Sequence, residues 1–122
     1  MKIYRLEHKE IQRGPHTAVY YDPDTAAAWE LVGEDAGTPS PNRPSPREDF
    51  GMDYDWKYQL TWRFDCEPRE ILFGCESYEA LQDWFSGELF ELLIHAGHEV
   101  KIYNVPEEKA FQGKKQVAFV KP

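Results

Sequence analysis

The sequence is poor in cysteine, in basic residues and in long apolar runs. Cys66 and Cys75 are the only thiols in 122 residues. Two cysteines supply at most one crosslink, which excludes the disulfide-dense frameworks of small secreted domains. Apolar runs extend over only a few residues, as at Leu92-Leu93-Ile94, whereas about 20 are needed to cross a bilayer core as a helix. The opening Met1-Lys2-Ile3-Tyr4-Arg5 lacks the apolar stretch of a signal peptide. The expected compartment is therefore cytoplasmic, with both thiols reduced.

Lys and Arg number 14 against 22 Asp and Glu, a formal net charge of −8. The shortage is local: residues 21–70 hold 12 acids and 5 bases. Such a surface repels nucleic-acid phosphates and attracts basic partners. The glycine signatures of dinucleotide and P-loop sites are missing, as are GxSxG, HExxH and any CxxC pair. Phosphate cradling by those loops, the nucleophile elbow and the commonest zinc spacings are thereby excluded.

What is abundant is aromatic: four Trp, seven Tyr and seven Phe. Each buries a large area, so one domain over residues 1–122 can assemble a core without staples. Ile3 to His8 reads as a strand, and Thr17 to Tyr21 as a second, shorter one. Asp24-Thr25 caps a short helix over 26–32, closed by Gly33. Pro39, Pro41, Pro44 and Pro46 lie among Gly, Ser, Thr and Asn, so 33–49 is expected to be a flexible loop without regular structure. Trp56, Tyr58, Leu60, Trp62 and Phe64 alternate with Lys57, Gln59, Thr61 and Arg63. That period of two predicts a half-buried strand within 53–64. Ile71 to Cys75 is a short buried strand. Ser77 caps an amphipathic helix of about five turns over 78–96, with Leu81, Phe85, Leu89 and Leu92 inward and Gly87 a point of kink or division. Strands over 99–105 and 116–120 follow. The predicted fold class is α+β: a mostly antiparallel sheet with one long amphipathic helix packed on it.

Few residues suggest chemistry. His95 and His98 lie three apart at the helix end, but a metal site needs a third ligand, such as His8, His16 or a carboxylate brought in by folding, and the reading taken for His95 is a helix-dipole partner or a surface residue. Cys75 sits near a helix start yet in apolar company, which reads as a buried structural thiol. Glu48, Asp49, Asp53 and Asp55 cluster after the proline-rich loop. Paired carboxylates do acid–base work or hold divalent cations, but their spacing fits no such pattern, and a solvated acidic face is the reading taken. The aromatics of 56–64 read as core rather than as a stacking platform for bases.

Several stretches carry a resemblance. Ile3-Tyr4-Arg5-Leu6-Glu7-His8 leads into Gly14-Pro15, and Pro44-Ser45-Pro46-Arg47-Glu48-Asp49 follows. Then come Phe73-Gly74-Cys75-Glu76-Ser77-Tyr78 through Phe85, Val100 to Val105, and Gly113-Lys114-Lys115-Gln116-Val117-Ala118-Phe119. Together they resemble a family of short proteins of tailed phages and prophages. The resemblance implies a viral accessory role acting on host machinery and brings no named activity. A second set is similar to ADP-ribosyltransferase-like domains, which open with a strand ending in Arg or His and close with one carrying a catalytic Glu. Arg5 or His8 matches the first position, and Gln116 stands near the last, where the acid is absent. That resemblance implies an enzyme using NAD, with Arg5, His8 and Gln116 as its site.

The expected function is therefore binding rather than catalysis. An acidic phage-type accessory protein docks through Glu34, Asp35, Glu48, Asp49, Asp53 and Asp55 on a basic surface of a host protein and inhibits it. A nucleic-acid-handling or defence complex is the natural target class. No cofactor, direct nucleic-acid contact or membrane is expected. The alternative is a divergent ADP-ribosyltransferase-like enzyme with NAD.

Overall fold

The computed structural model describes residues 1–40, 43–51 and 55–122, and for Asp55 the backbone only. Strand β1 (Lys2–His8) pairs antiparallel with β3 (His98–Asn104), from Lys2 opposite Asn104 to His8 opposite His98. Strands β2 (Ile71–Gly74), β5 (Val117–Val120) and β4 (Ala110–Gln112) form a second antiparallel sheet in the order β2-β5-β4. A pair of backbone hydrogen bonds links the sheets: the Tyr4 and Cys75 amides each donate to the other's carbonyl at 2.7 Å. Gly74 permits that approach, because a Cβ there would lie 2.6 Å from Ile3 Cγ2 and 2.8 Å from the Tyr4 carbonyl oxygen.

Among the described residues six helices surround these strands: α1 (Pro15–Ala18), α2 (Pro23–Leu31), α3 (Pro46–Phe50), α4 (Asp55–Arg63), α5 (Tyr78–Trp84) and α6 (Gly87–His95). The class is α+β with antiparallel sheets, as the sequence predicts. The single long helix is not: residues 78–96 fold as two helices of 7 and 9 residues. Ser77 caps α5 as expected, accepting from the Ala80 amide. The break falls at Ser86, whose φ of 50° is left-handed and whose hydroxyl donates to the Phe85 carbonyl at 2.6 Å. Serine competes for backbone hydrogen bonds, and glycine at 87 costs about 1 kcal/mol in a helix interior. Leu81, Phe85, Leu89, Phe90 and Leu93 still reach one core, which they share with Leu6, Ala28, Trp29 and Cys75. Leu92 is only half-buried.

The predicted strand within 53–64 is also overturned, for α4 is a helix. Trp56 and Leu60 are four apart, so they share a helix face and pack with Ile71 and Ala118, while Phe64 continues the row. Tyr58 and Trp62 lie on the outside, 61% and 85% exposed. Apolar residues at every second position include a row at every fourth, and the helix buries only that row. Residues 17–21 are not a strand either. Pro15 starts α1 with its fixed φ, and the Ala18 amide donates to Gly14. Asp22 rather than Asp24-Thr25 caps α2, again with proline in its first turn. Within 33–49, Ser45 caps the single turn of α3.

Candidate functional site

One concavity among the described residues is a cleft of about 800 Å³ where β1, α1, residues 36–39 and 43–46, β2 and the end of α5 meet. That volume lies in the range of small-molecule sites. Arg5 projects from β1 and is held at both ends of its guanidinium: Nε donates to Glu7 at 2.9 Å and Nη1 to the Phe73 carbonyl at 2.8 Å. Glu7 is itself buried and takes the Tyr103 hydroxyl at 2.5 Å, with Lys101 at 3.7 Å. Burial and this carboxylate push the Tyr103 phenol up to about 12.

Arg43 reaches into the protein from the proline-rich stretch. Nη1 donates to the Trp84 carbonyl at 3.1 Å, Nη2 to Glu34 at 2.5 Å, and the guanidinium lies over the Trp29 ring. Its Nε is buried without a hydrogen-bond partner among the described residues. His16 sits nearby. The Trp84 indole can only donate, so His16 Nε2 accepts from it at 3.2 Å and Nδ1–H donates to the Ala36 carbonyl at 2.8 Å. Burial, and then the positive fields of Arg43 and Arg5, lower the His16 pKa below 6.5. The rim adds Arg13, Arg69 and Lys121, and no Asp or Glu is among the described lining residues. In a chain with an excess of acid, the concave surface is cationic and the carboxylates that balance Arg5 and Arg43 stand behind it.

Of the residues expected at a transferase site, Arg5 and Gln116 line this cleft, while His8 is not among its lining residues. Gln116 is buried and its side-chain amide lies 3.5 Å from the Pro44 carbonyl. The strands that carry them are not paired, since β1 lies against β3 and β5 against β2 and β4. His8 instead faces Asp22 at 3.2 Å, and its Nδ1 accepts from the Glu10 and Ile11 amides. Thr25 donates its hydroxyl to Asp22 at 2.6 Å, which leaves His98 Nε2 to donate to that hydroxyl oxygen at 2.9 Å. Burial would raise the Asp22 carboxyl, but the hydrogen bonds from Thr25 outweigh it and hold the pKa below 3.8. Burial drives His98 down to about 4, with His8 adding to the shift.

The acidic docking residues that are described differ in their surroundings. Glu34 is paired with Arg43, Asp35 is exposed and takes the Gly37 amide, and Glu48 is exposed beside Ser45. Asp49 turns inward. Only 3% exposed, it accepts from the Lys115 amide at 2.7 Å and the Gln116 amide at 3.0 Å, which fastens α3 to the β4–β5 connection. Asp53 lies outside the described residues, and of Asp55 only the backbone, at the start of α4, is described. Among the described residues, no three of His, Cys, Asp and Glu gather as metal ligands. Burial pushes Cys75 up to about 12 and raises Cys66 as well, the opposite of an activated thiol. No described helix is long and apolar enough to cross a membrane.

Sequence reading missed His16, Arg43 and the rim cations. The available signal was weak: a single arginine among four prolines, and a Trp84 N–H in need of an acceptor.

A small α+β domain with an acidic exterior and a cation-lined cleft is the class that fold and site define. The chain belongs to the bacteriophage T4 Y00F protein family, whose model matches residues 1–122. No curated protein and no solved structure matches it. The resemblance to phage proteins thus stands, whereas the similarity to ADP-ribosyltransferase-like domains is not shown.

Proposed function

We propose that the chain is a phage accessory protein that works by binding in the host cytoplasm, docking on a basic surface of a host protein and inhibiting it. The observation that carries this reading is the outer face of α5 and α6. Glu76, Glu79, Asp83, Glu88 and Glu91 are all exposed there, and residues 76–97 contain no Lys or Arg. Glu79 and Asp83 are four apart on α5, and Glu88 and Glu91 three apart on α6, so each pair shares a face. Opposite charge speeds encounter with a basic surface and competes for the groups that hold phosphates. A nucleic-acid-handling or defence complex is therefore the target class.

The test is capture from a host lysate at low and high salt, with the protein and with a variant carrying Glu79→Lys, Asp83→Lys, Glu88→Lys and Glu91→Lys. A partner with a basic face, retained at low salt and lost in the variant, is the expected result. Capture unaffected by charge reversal would end this reading.

The NAD-using alternative is favoured by one observation, that Arg5 and Gln116 line a common cleft. Glutamine hydrogen-bonds a ribose but lacks the charge that stabilises an oxocarbenium ion. The expected outcome is no label transfer from NAD to host extract. Transfer abolished by Gln116→Ala would establish the enzyme instead.

A further inference from the structure

We propose that the cleft is a binding site for a small organic anion, a phosphate or carboxylate head on a compact apolar body. Lining charge of one sign is the first support. Arg5, Arg13, Arg43, Arg69 and Lys121 all border the cleft, with no acid among the described lining residues. A concavity lined by a single sign, with low-dielectric walls, focuses its field into the opening and concentrates counter-ions there.

The second support is graded exposure. Arg13, Arg69 and Lys121 are exposed at the rim, whereas Arg43 is buried and Arg5 nearly so. Exposed rim cations, of which Arg69 is also paired with Glu67, draw in a charged molecule. Guanidiniums already fixed by the Phe73 and Trp84 carbonyls lose little freedom on holding it. The third is unspent hydrogen-bonding capacity. Among the described residues, Arg43 Nε is buried without a partner and Arg5 Nη2 makes no hydrogen bond. Guanidinium donors match the planar, paired acceptors of a carboxylate or phosphate. Part of the remaining wall is apolar: beside Thr17, Thr38 and Ser45, the side chains of Pro15, Pro39, Pro44, Phe73 and Trp84 offer a surface for a ring rather than for a bare ion. The inference does not rest on the docking surface, which lies on the outside of α5 and α6, nor on transferase chemistry, which requires Gln116.

The test uses the full chain and its own amide and indole NMR signals. The probes are AMP, benzoate, inorganic phosphate and neutral adenosine. AMP, benzoate or both are expected to shift the Gly37, Gly74 and Trp84 signals saturably, and which of them binds tells phosphate from carboxylate. Adenosine and inorganic phosphate are expected to bind at least about tenfold more weakly, because each lacks one half of the recognition. Arg13→Glu combined with Lys121→Glu changes only exposed rim positions and is expected to weaken binding by about tenfold with melting unchanged. Arg43→Met is the second variant, expected to lose binding wherever it still folds. Equal binding of adenosine, shifts that avoid the cleft signals, or undiminished binding by the rim variant would overturn the proposal.

Discussion

Strands β1 and β3 are paired at seven consecutive positions, from Lys2 opposite Asn104 to His8 opposite His98. Residues 33–50 are tied down differently, by a few side chains. Arg43 inserts between Trp29, Glu34 and Trp84, and Asp49 caps two amides near Gly113. A ladder spreads its stability over many backbone bonds, so single side-chain changes on it are diluted. A stretch whose side-chain anchors are chiefly Arg43 and Asp49, with lesser bonds to the Ala36 and Pro44 carbonyls, concentrates the same function in few residues. The helices α5 and α6, with their buried Leu and Phe, are the common floor against which both regions rest.

Four predictions test this contrast, the largest first. Leu89→Ala removes a fully buried side chain from the shared floor, and should lower unfolding free energy by about 2–5 kcal/mol, from lost transfer energy plus a cavity. Urea denaturation reads it, and an unchanged midpoint would mean that α6 is not part of the core.

Second comes acid sensitivity. His98, at the end of the ladder, has its folded pKa depressed to about 4 from an ordinary 6.5. Between those values the unfolded chain binds the extra proton and the folded one does not. Stability is therefore complete above 6.5 and falls as pH drops toward 4, by on the order of 1–3 kcal/mol. His16, also lowered, adds in the same direction. Melting against pH should show the decline, and His98→Gln should flatten it.

Third, Asp49→Ala leaves the Lys115 and Gln116 amides without their acceptor, at a cost of about 1–3 kcal/mol. Exchange of those two amides should quicken while β1 and β3 amides stay protected. If all amides quicken together, the proline-rich stretch and the ladder unfold as one unit and the contrast fails.

The smallest effect belongs to loop length. Inserting Gly-Ser after Thr38 spares both anchors and should cost at most about 0.6 kcal/mol, because closure entropy grows only with the logarithm of length. A loss of several kcal/mol would show that the backbone between the anchors is itself structural.

The regular half of the fold was legible in the sequence because its signals are local. The β-branched and aromatic residues of 3–8, 71–75 and 99–105 mark strands, and Ser77 marks a helix start. Residues 56–64 misled because one spacing serves two periods, and only the position of Ile71 and Ala118 decides between them. Gly87 was visible as a weak point, but whether a helix parts there depends on the core it must fit. The site was harder. Arg43 is engaged by a carbonyl 41 residues away, and Asp49 by amides 66 and 67 residues away. Charge counting sees an arginine and a carboxylate on an acidic chain, and only folding turns one toward a cleft and the other inward.

The pairing of β1 with β3 sets a timetable for synthesis. Tyr103 and its partner Glu7 stand 96 residues apart in the chain. At about 5–20 residues per second, β1 waits roughly 5–20 seconds on the ribosome for its neighbour. During that interval Ile3 and Leu6, destined for the interior, are exposed on an unpaired edge. The charges at Lys2, Arg5, Glu7, Lys9 and Glu10 interrupt that apolar stretch, which discourages pairing with another nascent chain. Strand β1 is thus secured long after it is made, and its sheet closes only when β3 arrives.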